Sequence, residues 1–327
     1  MLAGMPVSGL DPGSASDDTL ERVHDVARCC HAEANQLEPY RSVAETMAYL
    51  RHPPSAEPRW YWTASLGGEV VGFAQVGLLP ASQVGELAVL VHPQARGRGC
   101  GHAVFEVAMD RARAEGCGTL ISTHATPEGA AFARRVGAVD TRRDVRSVVR
   151  LADADLTAPA VEGYRLRSWN GPAPAELVVS FAEARKAIND APRAAEGEWQ
   201  EWDVARVRDL ERMAERRGRQ IRVTVATDAA GEVVALTELR VALSAGAVAT
   251  TEDTVVVAAH RGRGLARWVK AESLTLIRGD RPDVELVATT NAEANIAIRA
   301  VNTRLGFVPA AMLTACSVIV SPAAGSG

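Results

Sequence analysis

Arg96-Gly97-Arg98-Gly99 and Arg261-Gly262-Arg263-Gly264 are the same four-residue string, and the two copies lie half a chain length apart. Each copy follows a valine-rich stretch (87–91 and 254–257) and precedes a helical pattern (100–114 and 265–277). Glycines let backbone N–H groups turn towards one point, and a helix N-terminus adds partial positive charge. A strand, a glycine loop and a helix therefore predict a diphosphate-binding turn. Its recurrence at a domain-sized interval predicts a duplicated nucleotide- or coenzyme-binding fold.

Bulk composition is that of a soluble globular protein. The 327 residues suffice for two domains, with 47% hydrophobic and 23% charged residues. The formal net charge of −4 argues against a dedicated nucleic-acid binder. No stretch approaches the roughly 18 consecutive apolar residues of a membrane span. The N-terminal stretch Met1–Asp18 lacks the basic start and apolar core of a signal peptide, so we expect a cytoplasmic protein.

The five cysteines show no metal-ligand spacing, and we predict no metal site. Cys29 and Cys30 are adjacent within a helical pattern, where a mutual disulfide would be strained. Reduced thiols in a cytoplasmic protein are therefore expected.

The chain reads as two similar halves. Residues 1–15 are predicted to be disordered, since they offer little to bury. The N-terminal domain is placed at 16–155 and the C-terminal domain at 160–322. Each half is predicted to contain two helices, a hairpin, the strand before the glycine loop, the helix after it, then a strand, a short helix and a closing strand (142–151 and 313–320). In the first half, Ser42 and Glu45 predict a capping box at the second helix. This order predicts an α+β (mixed α/β) class, with a mixed, mainly antiparallel twisted sheet flanked by helices in each domain.

The motif carries a family resemblance. Arg96–Gly101 and Arg261–Ala266 both fit Gln/Arg-x-x-Gly-x-Gly/Ala at every fixed position. In this the chain resembles the GNAT superfamily of acyl-CoA-dependent N-acyltransferases, and Leu305-Gly306-Phe307 is similar to the Gly-Phe that closes the family's last helix. The tandem layout resembles two-domain acetyltransferases of the mycothiol synthase type. The resemblance implies two GNAT-like domains and acetyl-CoA as cofactor. An RNA-binding RG segment, by contrast, is a long disordered repeat.

The resemblance also implies which residues hold the coenzyme. Backbone amides of the loops would bind the pyrophosphate, and N–H groups of the strands before them would polarise the thioester carbonyl. In the first half these residues are Val89, Val91, Arg96, Gly97, Arg98, Gly99, Cys100 and Gly101. In the second half they are Val255, Val256, Val257, Arg261, Gly262, Arg263, Gly264, Leu265 and Ala266, with Asn291 and Asn295 beside the coenzyme arm.

Acyl transfer to an amine also needs a base. Glu86 lies ten residues before Arg96, close to where many family members place a glutamate. The same offset in the second half gives Thr251, with Glu252 and Asp253 next to it. Each of these acids can act directly or through water, or can simply be a solvated acid at a strand end.

The family's usual acid is a tyrosine, which is missing in both halves. Its position holds Ala133 in the first half and Asn302 in the second. Alanine cannot donate a proton, and asparagine can only hydrogen-bond. Asn302 is expected either to orient the sulfur or a water, or to pack within its helix.

The second half keeps Gly306-Phe307 and the asparagines, whereas the first has Gly137-Ala138. We therefore predict that the C-terminal domain carries the chemistry, although Glu86 argues against this. Three roles are open for the N-terminal domain. It can bind coenzyme, it can shape the acceptor pocket, or it can be a structural relic without a function of its own.

The acceptor is harder to predict. The helices at 175–188 and 203–217 are expected to line its cleft. Nearby residues form either an acidic, aromatic patch suited to a cationic amine or an ordinary amphipathic surface. They are Glu196, Glu198, Trp199, Glu201 and Trp202. His92 and His260 are interpreted as loop residues rather than ligands or bases.

The predicted function is transfer of an acetyl group from acetyl-CoA to a primary amine of a small molecule, directly within a ternary complex. The protein is expected to be a monomer or homodimer. The alternative is an acyl-CoA-binding sensor or scaffold without catalysis.

Overall fold

The chain divides into two compact units. The computed structural model describes residues 5–54, 57–79, 82–190, 201–244, 246 and 248–320. Unit 1 comprises residues 1–142 together with 313–327, and unit 2 comprises residues 143–312.

Unit 1 takes most of its elements from the N-terminal half. They are β1 (Val7–Leu10), α1 (Asp17–Ala34), α2 (Val43–Arg51), β2 (Arg59–Leu66), β3 (Glu69–Leu78), β4 (Val84–Val91), α3 (Cys100–Ala114), β5 (Thr119–His124), α4 (Pro127–Arg135) and the start of β6 (Val139–Arg150). The predicted capping box at the start of α2 is confirmed, because Glu45 donates its N–H to the Ser42 hydroxyl and the Glu45 carboxylate accepts the Ser42 N–H.

The expectation of disorder through residue 15 is wrong for Val7–Leu10. This segment forms β1 and pairs antiparallel with Tyr61–Ala64 of β2. Met5 and Val7 pack on the core of unit 1. A composition rich in glycine and serine did not predict this strand, because its stability comes from a partner that is distant in the sequence.

Unit 2 contains the remaining elements. They are the rest of β6, β7 (Arg165–Asn170), α5 (Val178–Arg185), α6 (Val204–Arg216), β8 (Arg219–Thr227), β9 (Val233–Ala242), β10 (Ala249–Val256), α7 (Leu265–Asp280), β11 (Leu286–Ala292), α8 (Ile296–Arg304) and the start of β12 (Val308–Ile319).

Each unit contains a mixed sheet flanked by helices, which confirms the predicted fold class. The strand order is β1-β2-β3-β4-β5-β12 in unit 1 and β6-β11-β10-β9-β8-β7 in unit 2. Among the described pairs within each unit, β4–β5 and β10–β11 are parallel and the others are antiparallel. A parallel pair requires a crossover connection, which α3 and α7 provide.

The closing strands are exchanged between the two halves of the sequence. In unit 1, β5 pairs with residues 314–319 of β12. In unit 2, β11 pairs with residues 144–150 of β6. Both strands were predicted, but an alternating pattern predicts a strand and not its partner. The compact units therefore do not follow the sequence ranges 16–155 and 160–322.

A lysine lies in the core of unit 2. Lys270 is on the buried face of α7, next to Val269 and Leu274, and is 2% exposed. Its Nζ has no hydrogen-bond partner among the described residues and lies 5.2 Å from the centroid of the Phe307 ring. Burial lowers the pKa of Lys270 to about 7.

Replacing this lysine is expected to stabilise the protein in a pH-dependent way. In unfolded chains its pKa is near 10.5, so between pH 7 and 10.5 the unfolded state binds more protons and stability rises with pH. Lys270→Met should therefore raise the free energy of unfolding more at pH 6 than at pH 9.5, with about 1.4 kcal/mol at stake for each pH unit in that window. Urea unfolding at both pH values measures this.

The control is Lys186→Met, which removes the other lysine of the sequence from an exposed position. It should change stability equally at both pH values. An equal gain at both pH values for Lys270→Met would contradict the buried charge.

Candidate functional site

The two glycine loops have the same backbone geometry. Gly99 and Gly264 are the N-cap residues of α3 and α7, and each has φ of +87°, which favours glycine. A Cβ added to either residue would meet nothing within 4 Å, and the same holds for Gly97 and Gly262. Each loop therefore presents open space in front of a helix N-terminus, where the first N–H groups have no partner within the helix. This arrangement fits a diphosphate.

The first arginine of each motif is bound to the protein. Arg96 donates from Nε to the Val91 carbonyl at 3.3 Å and pairs with Glu33 of α1. Arg261 donates from Nε to the Val256 carbonyl at 3.0 Å and pairs with Asp190. These two arginines hold each loop against the end of the preceding strand. The third residue of each Arg-Gly-Arg-Gly string, Arg98 or Arg263, is exposed. Its side chain can therefore reach an anion bound at the loop.

Several predicted coenzyme residues can offer only their backbone to a ligand. The side chains of Cys100 and Leu265 are buried in the cores. A Cβ on Gly101 would lie 3.3 Å from the Phe132 ring, so this position needs a small residue; Ala266 takes the corresponding place in unit 2.

The parallel strands separate soon after they pair. In unit 1, pairing of β4 with β5 covers residues 84–86 and 119–121, and in unit 2 pairing of β10 with β11 covers 249–251 and 287–289. Beyond these residues each strand before the loop has a free edge within the described structure. The predicted valines lie along this edge.

Backbone alternation selects which of these valines can act as donors. Val257 gives its N–H to the Val234 carbonyl at 2.9 Å, so that group is not available to a ligand. Since N–H directions alternate along an antiparallel pair, Val255 also faces β9, and Val256 faces the gap beside β11. In unit 1, His92 gives its N–H to Val71, which leaves Val89 and Val91 facing the gap.

A β-bulge distinguishes unit 2 from unit 1. In β10, Thr251 pairs with Leu239 but Thr254 pairs with Thr237, so β10 carries one extra residue. In unit 1, β3 and β4 keep continuous register over the corresponding stretch. A bulge of this kind opposes two residues to one and breaks the alternation of sides. The bulge contains the two predicted carboxylates, Glu252 and Asp253.

Both bulge carboxylates interact with one buried charged cluster. Arg185 of α5 pairs with Asp253 at 2.6 Å and with Glu238 of β9 at 2.5 Å. Arg240 pairs with Glu238 at 2.9 Å. Arg185 and Glu238 are each only 3% exposed. Burial alone would raise the pKa of Glu238, but the two guanidiniums hold it below its ordinary value.

Glu252 differs from Asp253 in being open to solvent. The protein packed around its carboxyl raises its pKa through desolvation, and the negative charges of Glu238 and Asp253 raise it further, against the lowering effects of Arg240 and Arg219. Thr251 is buried, and its Oγ1 has no hydrogen-bond partner in the described part of the chain. Of the three neighbours, Glu252 is the most exposed residue.

Glu86 is held by an ion pair in unit 1. Its Oε2 accepts from Arg59 at 3.0 Å, and Arg59 also pairs with Glu57 at 2.6 Å. Glu86 lies at the last paired position of β4 with β5, opposite Ile121.

The asparagines divide into two roles. Asn302 donates from Nδ2 to Asn291 Oδ1 at 2.7 Å, and its buried Oδ1 has no partner among the described residues. Asn295 accepts the Ile298 N–H and caps α8, which is a structural role. Ala133 is buried in α4 and offers no polar group.

Only two residues of the predicted acceptor patch, Glu201 and Trp202, lie in the described part of the chain. The Trp202 ring is buried, with the guanidinium carbon of Arg185 4.0 Å from its centroid, so it supports the charged cluster. Glu201 is exposed. Glu196, Glu198 and Trp199 lie outside the described residues.

Sequence reasoning missed Arg185, Glu238 and Arg240. A signal existed, because Glu238 and Arg240 interrupt an otherwise apolar strand on the same face. No local pattern connected them to Arg185, which is far from both in the sequence.

Comparison with known proteins gives acetyltransferases of the type that the glycine loops had suggested. Residues 20–137 match the model of the Acetyltransferase (GNAT) family. The chain is 28% identical to a mycothiol acetyltransferase of Tsukamurella paurometabola over 282 residues, which cover 81% of this chain and 90% of that protein. It is also similar to a solved tandem GNAT protein from the clavulanic acid biosynthesis pathway, with a TM-score of 0.83, 28% identity, and coverage of 98% and 99%. A GCN5-related N-acetyltransferase from Sphaerobacter thermophilus shares the fold, with a TM-score of 0.69, 17% identity, and coverage of 97% and 96%.

Among the described residues, no helix is both long enough and apolar enough to cross a membrane.

Adding a negative charge to the second glycine loop should remove one coenzyme site. Gly264→Asp places a carboxylate beside the diphosphate position, and at least a tenfold loss of coenzyme A affinity in unit 2 is expected, or about 1.4 kcal/mol. Calorimetric titration with coenzyme A measures both affinity and stoichiometry.

The matched control is Gly264→Asn, which has nearly the same size and tolerates positive φ without the charge. It should retain more affinity than Gly264→Asp. Gly99→Asp makes the same change in unit 1. Unchanged binding in both aspartate variants would show that neither loop holds the diphosphate.

Proposed function

We propose that this chain, which belongs to the GNAT acetyltransferase family in its tandem form, transfers an acetyl group from acetyl-CoA to a primary amine of a small molecule. The proposal places the chemistry in unit 2, as direct transfer within a ternary complex. The observation that carries it is the bulge at Glu252 and Asp253, which has no counterpart in β4.

The coenzyme supplies the acetyl thioester when it is bound. In unit 2 the residues that would hold it are Gly262, Gly264 and the first N–H groups of α7, with the exposed Arg263 beside them. The N–H of Val256 is the donor that would polarise a carbonyl in the gap beside β11. Unit 1 offers the same kinds of group at Gly97, Gly99, Val89 and Val91, and we propose that it binds coenzyme as well.

Glu252 acts as the general base in this proposal. Glu252 is an exposed residue, and the protein packed around its carboxyl raises its pKa, which makes it more basic than an ordinary glutamate. Asp253 is a positioning residue, since Arg185 holds it.

No residue replaces the missing tyrosine as an acid in this proposal. Asn302 keeps its Nδ2 on Asn291 and offers only Oδ1 as an acceptor. The thiolate therefore takes its proton from water.

The names of the similar proteins support a small-molecule acceptor. One relative is named for mycothiol, and one structural neighbour is named for the clavulanic acid pathway. Mycothiol and clavulanic acid are both small molecules. One observation favours the alternative, a coenzyme-binding sensor. The family's usual acid, a tyrosine, is absent from both halves, where its position holds Ala133 and Asn302.

Glu252→Gln should lower kcat/KM for acetyl transfer by about 100-fold or more, since it removes the base. In the unmodified protein, activity should fall as the pH drops through the pKa of Glu252, because only the ionised carboxylate accepts a proton. This acidic limb should lie above the ordinary glutamate value of 4.5 and should vanish in the variant. Thiol release from acetyl-CoA with a panel of amines measures the rates.

Glu86→Gln is the matched control and should leave the rate within about twofold. Loss of activity in Glu86→Gln but not in Glu252→Gln would place the chemistry in unit 1. Coenzyme binding without turnover on any amine would support the sensor.

A further inference from the structure

A cluster outside the catalytic machinery joins three different kinds of metal-binding side chain in unit 1. The ligand atoms of Asp25, Cys29 and His92 all lie within 4.8 Å of one another, and all three residues are half-buried. Cys29 Sγ is 4.0 Å from Asp25 Oδ1, and His92 Nε2 is 3.9 Å from Asp25 Oδ2. Bond lengths of about 2.0–2.3 Å to zinc place tetrahedral donors roughly 3.3–3.8 Å apart. The three side chains need only small movements to reach that spacing.

The backbone holds these donors on two packed elements. Asp25 and Cys29 are four residues apart on α1, so they share one face of the helix. His92 directly follows β4 and begins a short turn at Pro93–Ala95. Cys30 fixes the helix to the strand end by donating from Sγ to the Val91 carbonyl at 3.3 Å.

A cation already occupies part of this cluster. Nη2 of Arg28 lies 2.5 Å from Asp25 Oδ1 and 3.5 Å from Cys29 Sγ. Since half of the Arg28 side chain is exposed, it can turn into solvent and leave both donors to another cation.

We propose that Asp25, Cys29 and His92 bind a zinc ion, with a water molecule in the fourth position. Mixed oxygen, nitrogen and sulfur donors suit zinc, whereas magnesium and calcium prefer oxygen alone. Binding forms a zinc–sulfur bond, and the Cys29 thiol proton passes to solvent. The His92 ring binds through Nε2 and carries its proton on Nδ1, which gives up the 3.4 Å bond from the Gln94 N–H.

This site would connect α1 to the start of the turn that leads into the first glycine loop. The sequence showed no such site, because His92 is remote from Cys29 along the chain and no short spacing joins them. The proposal does not depend on which unit carries out acetyl transfer.

Metal titration of the full chain tests the proposal. Calorimetry with zinc chloride should give one site, and cobalt chloride should produce a thiolate-to-cobalt charge-transfer band in the near ultraviolet. Cys29→Ser and His92→Gln should each weaken zinc binding at least tenfold, and Cys29→Ser should remove the band. Arg28→Gln should tighten binding, because it removes the competing cation.

The matched control is Cys30→Ser, which removes the neighbouring thiol but none of the three donors and keeps a hydroxyl that can donate to the Val91 carbonyl, so it should bind zinc like the unmodified chain. Thermal unfolding without metal checks that each variant is folded. Equal zinc affinity in Cys29→Ser and the unmodified chain would overturn the proposal. So would the absence of binding in Arg28→Gln.

Discussion

The early separation of two parallel strands is the constraint on which both candidate coenzyme sites depend. In each unit the strand before the glycine loop pairs with its parallel neighbour over only three residues. Past that point its outward N–H groups have no sheet partner in the described structure, while the last outward carbonyls, of Val91 and Val256, accept from Arg96 and Arg261. The same strand runs directly into the glycine loop. The N–H donors for a carbonyl and the loop that fits a diphosphate therefore lie next to each other.

The two units share this backbone arrangement, while the side chains around it differ. The loops agree down to the φ of +87° at each N-cap glycine and the arginine bound to the strand end. The bulge and the buried cluster belong to unit 2. Removing one partner of a buried ion pair costs about 3–5 kcal/mol because the other charge is left unpaired, so Arg185 and Glu238 depend on each other. Arg185 also holds Asp253, and Glu252 is the more exposed residue of the bulge.

Features with local causes could be predicted from the sequence. The glycine loops, the capping box at Ser42 and the order of helices and strands all follow from residues within a few positions of one another. Features that depend on distant partners could not. The strand β1 forms because it pairs with β2, which is distant in the sequence. The ion pair between Arg185 and Glu238 joins α5 to β9. The choice between Glu252 and Asp253 rests on a one-residue bulge, which hydrophobic patterning does not reveal. The capping role of Asn295 is a further local signal, since an asparagine just before a helix is often its cap.

The exchange of closing strands has a consequence for how the chain is made. A ribosome releases residues 1–142 long before it releases residues 314–319, yet β5 has its antiparallel partner only in that late segment. The sheet of unit 1 therefore cannot be completed until residues 314–319 are synthesised. Until then, the edge of β5 that pairs with them is unpaired. Exposed edges of this kind invite pairing with other chains, so translation speed and chaperone access bear most heavily on the N-terminal half.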